Sequence, residues 1–74
     1  MSTLGENRVR VEFNPSGEGV VYDIKRHSAE MIDFVEKVKA GYPGNGEVAR
    51  LCALAQTAYE EAAMWAVKAA TTSR

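Results

Sequence analysis

EVARLCALAQTAYEEAAMWAVKAAT, residues 47–71, is the stretch whose reading decides the fold. Alanine, the best helix former, recurs nine times in it, and neither glycine nor proline interrupts it. One helix of about seven turns is predicted. Its hydrophobicity is not confined to a stripe. Val48, Leu51, Ala55, Ala58, Ala62, Trp65 and Ala69 make the expected hairpin face, while Cys52, Tyr59, Ala63, Met64, Ala66, Val67 and Ala70 spread apolar surface over much of the rest. A helix apolar on most sides is buried on most sides, and a single neighbour does not cover it. Other copies of the chain are the expected cover, the alanines letting backbones approach closely. The competing reading, alanine as surface filler chosen for helicity, is opposed by Trp65 and Met64, because exposed apolar clusters of that size are unusual on monomers.

Immediately upstream, Gly41-Tyr42-Pro43-Gly44-Asn45-Gly46 breaks the chain. Gly41 suits the position just past a helix C-terminus, Pro43 cannot continue a helix, and Asn45 can cap the next one. Before that break, Val20, Ile24, Met31, Phe34, Val35 and Val38 recur at three- and four-residue spacing, opposite Asp23, Lys25, Arg26, Glu30, Asp33, Glu36 and Lys37. This predicts an amphipathic helix over 20–40. Further upstream, Val9, Val11 and Phe13 alternate with Arg8, Arg10 and Glu12, a period of two that predicts a short strand or extended arm over 8–13. Asn14-Pro15-Ser16-Gly17-Glu18-Gly19 ends it in a backbone-exposing turn. Residues 1–7 (MSTLGEN) are small and polar and are expected as a flexible terminus. The expected fold is therefore mostly α: one domain over 8–74, with strand 8–13, then an antiparallel hairpin of helices 20–40 and 47–71, assembled as a homo-oligomer.

At 74 residues, a single core rarely supplies more than about 3–5 kcal/mol of net stability. One cysteine and one histidine exclude disulfide or ordinary zinc stapling, which leaves oligomerisation as the supplement. The first twenty residues carry Glu6, Arg8, Arg10, Glu12 and Glu18 without a long apolar run, so neither a signal peptide nor a membrane span is expected. A formal charge of −1 and a pI near 5.8 oppose DNA or RNA binding, which needs a basic stripe.

The search for chemistry finds no catalytic set. Cys52 lies among Leu51, Ala53 and Leu54, where burial keeps a thiol inert. His27, beside Lys25 and Arg26, reads as a solvated surface group. Glu60 and Glu61 point about 100° apart and do not share a site, and Asp33 with Glu36 is equally well a solvated helix face. No metal motif, P-loop or dinucleotide fingerprint is present. The local concentration of Arg8, Arg10, Lys25, Arg26 and His27 near Phe13 and the glycine turn offers the parts of a small-anion or nucleotide site: cations, an aromatic face and free backbone amides. On the residues alone, the plainer reading is preferred, in which Phe13 anchors the strand and the cations solvate a face.

Three stretches change that balance. RVRVEFNPSG at 8–17, DIKRHSAEMIDFVE at 23–36 and RLCALAQTAYEEAAMWAVKAAT at 50–71 resemble the phage-encoded cyclic-oligonucleotide sponges, anti-CBASS proteins grouped with the Thoeris anti-defence sponges by a shared helical-hairpin domain. The most specific parts are Ile24-Lys25 followed by Ala29 and Ile32-Asp33, and Ala53-Leu54-Ala55-Gln56-Thr57 with Met64 and Lys68-Ala69. The resemblance implies a homo-oligomer, often a hexamer, that acts in the host cytoplasm and sequesters cyclic nucleotide messengers without cleaving them. It places cyclic dinucleotide contacts on Phe13 and Lys25 at a subunit interface, with Asn14, Ser16, Gly17 and Arg26 beside them. Similar members carry a tyrosine-arginine pair where this chain has Phe13 and its turn. A second site, for cyclic trinucleotides, would form where the 47–71 helices meet, and falls on Arg50, Gln56 and Thr57. No cofactor is implied. The alternative from a different class is an oligomeric adaptor hairpin with no nucleotide ligand.

Overall fold

The structure, a computed structural model, describes residues 3–9 and 19–72. Three helices run in chain order: α1 (Leu4–Val9), α2 (Gly19–Ala40) and α3 (Gly46–Thr72). The two long helices form the antiparallel hairpin, and α1 packs chiefly against α2.

The hairpin turn follows local chemistry. The Gly41 amide donates back to the Lys37 and Val38 carbonyls, each at 3.1 Å, tightening the end of α2. Gly41 stands just past the helix end, as expected, and the left-handed residue of the turn is Gly44, with φ 80°. Pro43 stops the helix and the chain reverses through Gly44, where only a residue without Cβ is unstrained. Asn45 then caps α3 as expected, its Oδ1 accepting from the Val48 amide at 3.0 Å.

The N-terminal expectation is corrected over residues 3–9. Among the described residues there is no strand, and the stretch expected as a loose terminus holds a capped helix. The Thr3 hydroxyl accepts from the Glu6 amide at 3.0 Å, while Glu6 Oε1 accepts from the Thr3 amide at 2.8 Å. This reciprocal pair is a capping box, formed by Thr3 and Glu6. It nucleates α1 and carries Arg8 and Val9 into helix; Arg10 to Phe13 lie outside the described residues. The Val9–Val11–Phe13 alternation by itself carries no sign of this four-residue cap.

The core is small: Val9, Ala29, Ile32 and Ala63, with Ile24 and Tyr59 packed against it. The expected hairpin face of α3 is also corrected. Cys52, Gln56 and Ala63 are buried, whereas Leu51, Leu54 and Trp65 are exposed in the single chain. On α2 the buried residues are Ala29 and Ile32, and Val20, Met31, Phe34 and Val38 face outward. Small side chains at Ala29, Cys52 and Ala63 let the helix axes come close, and the bulky residues are turned away from that seam. No helix of the described residues is long and apolar enough to cross a membrane.

Candidate functional site

α1 is placed by its glycine. Gly5 is buried, and a Cβ there would overlap the Ala29 backbone carbonyl, so α1 lies directly on the α2 backbone. The Gly5 amide, one of the unpaired donors of the first helical turn, donates to Asp33 Oδ1 at 2.7 Å. Val9 enters the core from the other end of α1.

With both ends fixed, Arg8 reaches across to α3. Its Nη2 donates to Thr57 Oγ1 at 3.2 Å and its Nε faces Glu60 Oε2 at 3.4 Å. The ion pair is long, and its side chains are 26% and 34% exposed, so its own contribution to stability is slight. Lys25, one turn before Ala29 on α2, lies on the same side. Arg8, Lys25 and Glu60, with Val9, Ala63, Met64 and Val67, line a groove of about 570 Å³. Two cations and one carboxylate above an apolar floor can hold a small anion with an apolar or aromatic body. Among the described residues no carboxylate pairs with Lys25 within 4.0 Å.

The sequence-predicted residues divide. Lys25 is in the groove. Arg26, one position on, is turned away and pairs with Glu30 at 2.8 Å on the exposed face. Phe13, Asn14, Ser16 and Gly17 lie outside the described residues. Arg50, Gln56 and Thr57 are not gathered within one chain. Arg50 is exposed and held by both carboxylate oxygens of Glu47, at 2.9 and 2.7 Å, which raises its pKa and lowers that of Glu47. Gln56 is buried in the hairpin seam. Thr57 stands at the edge of the groove as the acceptor for Arg8.

Glu60, set aside in the sequence because it does not share a site with Glu61, and Arg8, placed only in a cation cluster, are groove residues that the sequence did not reveal. The signal that could have found them is the capping box, which fixes α1 and with it the direction of Arg8.

Comparison with characterised proteins and with solved structures gives no match. The family model of the Acb2/Tad1 hairpin domain matches residues 5–71, taking in all three helices from Gly5 of α1 to Thr71 of α3. By that match the chain belongs to the Acb2/Tad1 hairpin-domain family, the anti-CBASS and anti-Thoeris sponges.

Proposed function

We propose that this protein binds cyclic nucleotide second messengers as a homo-oligomer, a hexamer by family resemblance, and withholds them intact from CBASS-type immunity in the cytoplasm of the infected host. The carrying observation is the groove in which Arg8 and Lys25 face one space over Val9, Ala63, Met64 and Val67. Cyclic dinucleotides present two phosphodiesters and two flat bases. The cations meet a phosphate through charge-assisted hydrogen bonds, and the apolar floor receives a base edge. Phe13, which follows α1 by four residues, is assigned base stacking. Among the described residues no nucleophile–base pair borders the groove, and the chemistry assigned is reversible sequestration rather than turnover.

The test is a thermal-shift panel of cyclic dinucleotides, cyclic trinucleotides and cyclised ADP-ribose isomers. Ligand at 100 times Kd stabilises by about 2.7 kcal/mol, several degrees for so small a domain. Ligand recovered by heating the complex is expected to be chemically unchanged on chromatography. A panel without a shift would reject the sponge in favour of an adaptor hairpin, and hydrolysed nucleotide scaling with protein dose would reject sequestration.

A further inference from the structure

Across the groove the two cations are not equivalent. Lys25 has no carboxylate within ion-pair distance among the described residues, whereas Arg8 already faces Glu60. We propose that Glu60 competes with the ligand's phosphate for Arg8, and so sets how much negative charge a ligand must bring to engage both cations. This rests on the sponge reading in taking the ligand to be a phosphodiester.

Three features carry it. At 3.4 Å the Arg8–Glu60 contact is looser than the arginine pairs Arg26–Glu30 at 2.8 Å and Arg50–Glu47 at 2.7 Å, so it is more easily exchanged than they are. Arg8 keeps a second anchor in the Thr57 hydroxyl, so the guanidinium stays in place when Glu60 leaves. Glu60 is 34% exposed, and its flexible side chain can turn to water. With Glu60 in place, the two cations of the groove carry a net formal charge of +1. A dianion gains a second full cation by displacing the carboxylate, whereas a monoanion is already matched by Lys25. The carboxylate therefore costs every anion some affinity, and costs most to a dianion, which must displace it to reach the second cation.

The experiment compares wild type, Glu60→Gln and Glu60→Ala, with Glu61→Gln as a control that changes overall charge by the same amount outside the groove. Calorimetry measures affinity for a cyclic dinucleotide. Independently, NMR follows the Arg8 Nε–H signal during titration with inorganic pyrophosphate. Both Glu60 variants are expected to bind about two- to fivefold more tightly at low salt, with the gain shrinking as salt is raised, and Glu61→Gln to match wild type. Unchanged or weaker nucleotide binding by both Glu60 variants, with wild type binding normally, overturns the competition and leaves the sponge reading standing; it would make Glu60 an orienting partner of Arg8. Wild type that binds no cyclic nucleotide, while the variants still strengthen pyrophosphate binding at Arg8, removes the sponge reading and leaves the competition. An Arg8 signal unmoved by pyrophosphate in every protein overturns it.

Discussion

Gln56 is the one polar side chain buried among the described residues, and it spans the hairpin: its Nε2 donates to the Ile32 carbonyl at 3.1 Å and to Glu36 Oε1 at 3.0 Å. A buried amide without those acceptors would be costly, so the pair selects the register in which α3 faces Ile32 and Glu36. Gln56→Ala is expected to lower stability by about 1–3 kcal/mol in denaturant unfolding. The same contact sets a pH dependence. The Gln56 hydrogen bond first, and Lys39 second, hold the Glu36 carboxyl below its ordinary value. A carboxylate depressed in the folded state contributes stability that is present above its unfolded pKa and is lost as pH falls through the folded one. Wild type should therefore lose stability as pH drops below about 4.5. Glu36 is 40% exposed, so the step is small, and Gln56→Leu should flatten it in melts between pH 6 and 3. In the groove, Lys25→Ala removes one charge-assisted hydrogen bond worth about 1.5–3 kcal/mol, a ten- to hundredfold loss of cyclic nucleotide affinity by calorimetry. Unchanged affinity in a properly folded variant would place the site elsewhere.

Among the elements, α1 depends on a glycine that nothing in composition marks. Gly5→Ala drives a methyl group into the Ala29 carbonyl, and overpacking of this kind typically costs about 1–3 kcal/mol. The expected readout is loss of amide protection in Leu4–Val9 while α2 and α3 stay protected, with weaker nucleotide binding because Arg8 moves with its helix. Equal protection in both proteins would mean that α1 docks less tightly than its geometry implies. The long helices were legible in sequence because their limits are local chemistry: Pro43 and the glycines stop one, Asn45 caps the next, and an unbroken alanine-rich run extends the last. Which faces meet was not legible. In α3 apolar residues lie on nearly every side, so periodicity cannot choose a face, and side-chain size favoured Leu51 and Trp65 where close packing required Cys52 and Ala63. In α2 the same preference for bulk favoured Met31 and Phe34 over Ala29 and Ile32. That rotation is why Lys25, assigned to a solvated face, borders the groove instead. Phe13, proposed to stack a base, lies outside the described residues.

At the scale of the whole molecule, the hairpin measures 46 × 25 × 12 Å, two helices thick at most, and it leaves a great deal of apolar surface uncovered. Leu51, Leu54, Met64 and Trp65 on α3 are each more than half exposed, as is Phe34 on α2. Lys68 lies over Trp65 at 5.9 Å from the ring centre, but one cation covers little of an indole. The five apolar residues buried among the described residues, three of them Ala or Cys, form too small a core to make a domain of this length comfortably stable alone. The proposed self-association would account for both facts at once, and light scattering at micromolar concentration is expected to show a mass several times 8.1 kDa. Two substitutions separate assembly from folding. Leu54 and Ala62 are exposed in the single chain, so Leu54→Glu or Ala62→Glu should leave an isolated hairpin almost unchanged. If those positions are buried between copies, each places an unpaired charge in the interface, and the assembly should dissociate or unfold. Wild type that persists as a folded 8.1 kDa species, with both glutamate variants melting at the same temperature, would show that the exposed apolar faces are not used for self-association.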